Sequence, residues 1–208
     1  MKGENLFLSG KAGDIECQIQ YSETCNHTWV VLHPHPLYGG KMNLPILYHL
    51  RKSIHDHQGA TLSFNFRGVG LSGGHFTGGP GELEDALVAC EYLRLRFPEL
   101  PVSVLGYSFG ALIGLDMAKS VSMEHLVLIG FPLTFHFQYP VKLSTRRLIA
   151  IQGEKDEFGR PADIQRTFGE HGLDAEVIPV EASDHFFQNH LFDLISTFTA
   201  SVYGGEKT

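Results

Sequence analysis

Three side chains in this sequence are of the types that together perform acyl transfer: Ser108, Asp156 and His185. A serine hydroxyl is a poor nucleophile at neutral pH until a base takes its proton. The base in turn needs an acid that holds its ring and stabilises its cation. Ser108 lies in "GYSFG", 106–110, a G-x-S-x-G pentapeptide, but "GLSGG" at 70–74 fits the same pattern and offers Ser72. With 23 glycines in 208 residues such a pattern arises by chance, so its surroundings must decide.

Ser72 follows "FNFRGVG" and precedes "GHFTGGPG", a glycine-rich loop with no helix behind it, and reads as a structural loop serine. Ser108 follows the apolar run 102–105 and precedes "FGALIGLDMAK", in which Ala111, Leu112, Leu115 and Ala118 recur at helical spacing. Strand, sharp turn and helix is the context that exposes a nucleophile. The helix start also sets backbone N–H groups and a positive dipole end beside a developing oxyanion.

Downstream, "RRLIAIQGEKDEF" reads as a buried strand ending in a turn that carries Asp156, and "AEVIPVEASDHFF" as a strand ending in a loop that carries His185. Both residues fall just past strand C-termini, where open α/β sheets bind ligands. Glu154, Glu157 and Asp184 compete for the acid's role. Asp156 ranks first for its place three residues beyond Gly153, and Asp184 last because an immediate neighbour reaches its own histidine's Nδ1 poorly. An oxyanion hole needs the N–H of the residue after the nucleophile, Phe109, and a second N–H from the segment "WVVLHPHPLYGGKM". Pro34 and Pro36 have none to give, which leaves His35, Leu37 or Tyr38, with Leu37 favoured. His33 and His35 project to the same side without a third ligand nearby, so the reading is a loop-shaping pair with no metal and no cofactor.

These residues need a scaffold that alternates strand and helix, and the sequence supplies one. "DIECQIQYS" alternates as a half-buried edge hairpin strand does, paired with "NLFLSG". "TWVVLH", "ATLSFNF", "PVSVLGY", "EHLVLIG", "RRLIAIQG" and "AEVIPVE" read as buried parallel strands. Helical patterns fill 44–57, 82–96, 109–119, 162–171 and 187–202, which predicts an α/β fold with a mostly parallel sheet covered on both faces. Glu82, Glu84 and Asp85 open the second of these helices, where acids offset the dipole.

Length and composition point the same way. At 208 residues, with 43% hydrophobic and 19% charged positions, the chain predicts one domain over 1–208. A net charge of −7 with scattered Lys and Arg argues against nucleic acid or an anionic membrane surface as partner. The start "MKGENLFLSG" resembles no export signal, and no stretch approaches about 18 unbroken apolar residues. Three cysteines without a CxxC pair fit a reducing cytoplasm. The oligomeric state is left open, a homodimer included.

Taken together, "LHPHPLYGGKMN", "LSFNFRGVGLSGGHFTGGPGELEDA", "VLGYSFGA", "GEKDEF" and "SDHFF" resemble, in that order and nearly end to end, the small capless bacterial α/β-hydrolases. The resemblance implies Ser108 as nucleophile, Asp156 as acid and His185 as base, in agreement with the residue-level reading. It also places the Ser72 decoy in a structural loop. The fold hosts many chemistries and names no substrate. The expected activity is a serine hydrolase acting on a small acyl ester through an acyl-enzyme. The rivals are a non-catalytic binding protein of the same fold and an aminopeptidase-like or thioesterase-like hydrolase. His35, Tyr38, Phe135 and Phe137 are the candidate pocket residues. The segment 131–145, which also carries Phe131 and Tyr139, is too short for a cap and is expected to wall a shallow acyl pocket.

Overall fold

The chain opens on a hairpin, β1 (Lys2–Gly10) antiparallel to β2 (Gly13–Tyr21). After β3 (His27–Leu32) come α1 (Pro45–Asp56), β4 (Gly59–Phe64), α2 (Pro80–Arg96), β5 (Val102–Tyr107) and α3 (Phe109–Met117). Then follow β6 (Met123–Ile129), β7 (Thr145–Gly153), α4 (Pro161–Glu170), β8 (Ala175–Val180) and α5 (Leu191–Tyr203). This computed structural model describes residues 2–135 and 142–204. The eight strands form one sheet in the order β1-β2-β4-β3-β5-β6-β7-β8, parallel from β4 onward and antiparallel at β1, β2 and β4.

Period-two alternation sorts the central strands between two cores. In β3, Val30 and Leu32 join Ala86, Ala89 and Leu93 of α2 and much of α3 on one face. Trp29 and Val31 join Leu50 and Ile54 of α1 and Leu194 and Phe198 of α5 on the other. The strand expected at the edge, β2, is interior: β1 covers one side and β4 the other. Its alternation comes from burying Ile15, Cys17 and Ile19 on one face only. The true edges are β1 and β8. The latter is only partly buried and carries Pro179, which lacks a ladder N–H.

Helix α5 begins at Leu191 rather than 187 because Phe187 (φ 54°) and Asn189 (φ 63°) stand in the left-handed region. Glu82 does more than offset a dipole: its carboxylate accepts from the N–H groups of Thr77 and Gly79 and from the Thr77 hydroxyl. Asp85 is buried against Arg67, taking Nη2 at 2.7 Å and the Arg67 backbone N–H at 2.9 Å, which anchors the glycine-rich loop to α2.

Burial holds the imidazoles of His27, His33 and His55 down at about 4, against an ordinary 6.5. The folded chain therefore keeps these rings neutral in a range where the unfolded chain would protonate them. Their contribution to stability is complete above 6.5 and is lost as pH falls from 6.5 towards 4. Tm is expected to hold between pH 8 and 7 and then to fall steadily through that window. A Tm unchanged from pH 7 to 4.5 would contradict the buried neutral state.

Candidate active site

Ser108, Asp156 and His185 stand at the C-terminal ends of β5, β7 and β8, and the sheet brings them together. Ser108 occupies the turn between β5 and α3 at φ 54° and ψ −116°, a conformation L-residues rarely adopt. Its N–H donates to Ile129 O at 2.8 Å, tying the turn to β6. The glycines are required by contact. A Cβ on Gly106 would run into the Gly110 carbonyl, and one on Gly110 would come within 2.5 Å of Leu32 O.

The hydroxyl points at a histidine whose ring orientation is set from behind. A carboxylate only accepts, so the 2.8 Å contact between His185 Nδ1 and Asp156 Oδ2 places the proton on Nδ1. Nε2 then accepts from the Ser108 hydroxyl at 2.9 Å. Asp156 is itself held: Oδ1 accepts the Phe158 N–H at 2.8 Å, and Oδ2 accepts from Gln152 Nε2 at 2.7 Å. Gln152, fully buried near the end of β7, also donates to Gly159 O and accepts the Phe131 N–H. A glutamine inside the apolar run "RRLIAIQG" was the available signal for this role. The Tyr107 hydroxyl donates to His185 O at 3.1 Å, and burial pushes that phenol well above its ordinary range.

Two of the competing acids, Glu154 and Asp184, are occupied elsewhere, and Glu157 is exposed. Glu154 Oε2 accepts the Ala182 N–H and braces the Asp156 turn against the His185 loop. Asp184 Oδ1 accepts the N–H groups of Phe186 and Gln188, so it folds the histidine's own loop. That loop carries three non-glycine residues at positive φ, Ala182, Phe187 and Asn189. Each costs on the order of 1–3 kcal/mol of local strain, tolerated where the surroundings over-determine one geometry. Ser72 is remote in role: its hydroxyl donates to Asn65 O at 2.6 Å and accepts the Glu16 N–H at 2.9 Å.

The segment 33–38 departs from expectation at its donor. Leu37 N–H donates to His35 Nδ1 at 3.2 Å and Tyr38 N–H to His35 O at 3.1 Å, so both amides are engaged within the loop. The His35 N–H has no acceptor among the described residues, and neither has that of Phe109. The reason is local: a 3-10 turn over Pro36–Tyr38 folds the following amides back onto His35. His33 fastens the loop from below. Its Nδ1 donates to Pro34 O at 2.6 Å and its Nε2 accepts the Phe66 N–H at 3.0 Å, so both ring nitrogens are used in binding the protein itself.

A cavity of about 740 Å³ opens over Ser108 and His185. His35, Tyr38 and Phe135 line it as expected, whereas Phe137 and Tyr139 lie outside the described residues. Phe131 is not a wall: it is fully buried and packs edge-on against Phe168. The site is larger than a shallow pocket built on 131–145 would be, because Leu44 and Ile46 at the start of α1, together with Phe158, Phe186 and Phe187, supply the other walls.

Comparison with solved structures agrees with this architecture. ATU1826 from Agrobacterium tumefaciens, a protein of unknown function and candidate α/β hydrolase, is 28% identical, with a TM-score of 0.88 over 97% of this chain and 98% of that one. An α/β serine hydrolase homologue from Coxiella burnetii is 26% identical with a TM-score of 0.90 over the same shares. XC6422 from Xanthomonas campestris, an α/β serine hydrolase without a lid, matches in fold at 24% identity and a TM-score of 0.86, covering 100% and 98% of the two chains. The chain thus has the α/β-hydrolase fold, and its structural relatives support a hydrolase. Among the described residues no helix is long and apolar enough to cross a membrane. No protein-family model matches the chain. At 30% identity over 194 residues, 88% of this chain and 82% of the other, it belongs to the same family as the uncharacterized protein RP471 of Rickettsia prowazekii (strain Madrid E).

Proposed function

We propose that the protein is a serine hydrolase that cleaves a small acyl ester through an acyl-enzyme. The observation that carries this reading is the continuous chain of hydrogen bonds from Ser108 through His185 to Asp156 on a strained turn beneath an open cavity. In the first step His185 Nε2 takes the hydroxyl proton as Ser108 Oγ attacks the acyl carbon, and Asp156 stabilises the imidazolium. The N–H groups of Phe109 and His35 receive the oxyanion. His185 then returns its proton to the leaving alcohol, and a water molecule, deprotonated by the same nitrogen, removes the acyl group.

An aminopeptidase would need an anchor for the substrate amine, and among the described residues no Asp or Glu lines the cavity. A non-catalytic protein would have little use for three mutually oriented groups on a strained loop. A fluorophosphonate probe separates enzyme from binding protein without knowledge of the substrate. Wild type is expected to be labelled at Ser108 and the Ser108→Ala variant not at all. An unlabelled wild type, or labelling that persists in the variant, would refute the reading.

A further inference from the structure

The cavity walls hold a polar group that the proposed chemistry leaves unused. His35 accepts the Leu37 N–H at Nδ1, and a neutral imidazole that accepts at Nδ1 carries its proton on Nε2. Burial lowers the affinity of this ring for a second proton, more than nearby Glu82 raises it. No partner for Nε2 is present among the described residues. Among the described residues, the other side-chain polar groups at the cavity are committed or peripheral: Ser108 and His185 to each other, the Tyr107 hydroxyl to His185 O, and the Tyr38 hydroxyl on a residue 82% exposed. Among the described residues no Lys, Arg, Asp or Glu lines the cavity.

The aromatic rings around the nucleophile fall into two groups. One surrounds His185: Phe158 at 4.6 Å, Phe186 at 5.3 Å and Tyr107 at 6.0 Å between centroids. The other surrounds His35: Tyr38 at 4.6 Å, Phe76 at 4.8 Å, Phe109 at 5.1 Å and Phe135 at 6.2 Å. The leaving oxygen must meet His185 Nε2 to receive its proton, so the alcohol portion lies with the first group. The side left for the acyl portion is that of His35, Tyr38 and Phe135, which line the cavity together. His35 lines the same cavity as Ser108, so a donor on its ring would meet an acyl chain close to the ester carbonyl.

We propose that His35 Nε2–H is a specificity-determining donor, and that the substrate is an uncharged ester with a hydrogen-bond acceptor, such as an ether, keto or hydroxyl oxygen, early in its acyl chain. This rests on the reading of Ser108 as nucleophile. An all-carbon chain would leave the donor buried and unmet, whereas an acceptor would satisfy it. A carboxylate would enter a cavity with no cation to match it.

The test compares p-nitrophenyl pentanoate with its 3-oxa and 4-oxa isosteres, 2-ethoxyacetate and 3-methoxypropanoate, each kcat/KM being divided by the ester's own hydroxide-catalysed rate. At least one oxa ester is expected to be favoured about five-fold in wild type, the effect of one hydrogen bond. The anionic p-nitrophenyl hydrogen glutarate is expected to be at least about ten-fold poorer than pentanoate. In His35→Asn, Oδ1 can still accept the Leu37 N–H but no donor reaches the place of Nε2, and the oxa preference is expected to fall to about one. His35→Gln, whose amide reaches that place, restores it. The preference is a ratio within each protein, so a change in overall rate does not affect it, and the wild-type ratio needs no variant to fold. Absence of preference in wild type, its persistence in His35→Asn, or a preferred glutarate each overturns the proposal. If wild type is labelled by the fluorophosphonate yet shows no oxa preference, only this inference falls. If it is not labelled, the hydrolase reading falls first.

Discussion

Replacing Ser108 by alanine is expected to lower kcat on an activated ester by about 10³- to 10⁶-fold while the fold persists, because nucleophile and base act as one unit. Alanine keeps the N–H that donates to Ile129 O, so the turn retains its anchor to β6. It loses only the hydroxyl that meets His185 Nε2. The control is the other serine in the same sequence pattern. Ser72→Ala removes a buried hydroxyl that bridges Asn65 O and the Glu16 N–H and does not line the cavity. Turnover is expected to stay within about two-fold, while stability drops by about 1–3 kcal/mol for the unmet backbone groups. The two variants should therefore separate in opposite senses: an inactive stable protein and an active, less stable one. Equal loss of turnover in both, or loss only at Ser72, would reassign the nucleophile.

What could be read from the sequence divides along a physical line. Periodicity and strand exits are local, and they sufficed to place Ser108, Asp156 and His185 at the ends of three strands that the fold brings into hydrogen-bonding distance. The Ser72 decoy was separable for the same reason, since a helix follows one serine and glycines follow the other. Side-chain contacts with the backbone were not legible. Nothing in "HPHPLYGG" announces that the His35 ring takes the Leu37 amide, and this bond shifts the free loop N–H from Leu37 to His35. The remaining cavity walls, beyond His35, Tyr38 and Phe135, were missed because they come from distant segments, Leu44 and Ile46 from one helix start and Phe158 from the turn after β7. Burial also obscured Phe131: an aromatic in a loop sequence looks like a pocket wall until Phe168 of α4 is found packed on it. The early start assigned to α5 failed because apolar spacing alone does not detect left-handed backbone at Phe187 and Asn189.

Asp156→Asn is expected to cost about 10³- to 10⁴-fold in kcat with little loss of fold, and the hydrogen bonds around the carboxylate explain why. Three donors converge on it: the Phe158 N–H on Oδ1, and Gln152 Nε2 and His185 Nδ1 on Oδ2. Asparagine offers one oxygen and one NH2, so some donor must face a donor. If the NH2 points at Phe158, a part-buried backbone N–H loses its acceptor, a penalty of about 1 kcal/mol or more. If it points at Gln152 and His185, Gln152 still has Gly159 O and Phe131 O to donate to, and only the imidazole must adapt. The second orientation therefore prevails. His185 then accepts at Nδ1 and carries its proton on Nε2, where it faces the Ser108 hydroxyl and cannot take its proton. Glu154→Gln keeps the oxygen that accepts the Ala182 N–H, and Asp184→Asn keeps the one that accepts from Phe186 and Gln188, so both should retain turnover within a few-fold. Steady-state kcat on p-nitrophenyl acetate, with Tm measured alongside, decides the matter. Near-wild-type turnover in Asp156→Asn together with collapse in either of the others would move the acid to that residue.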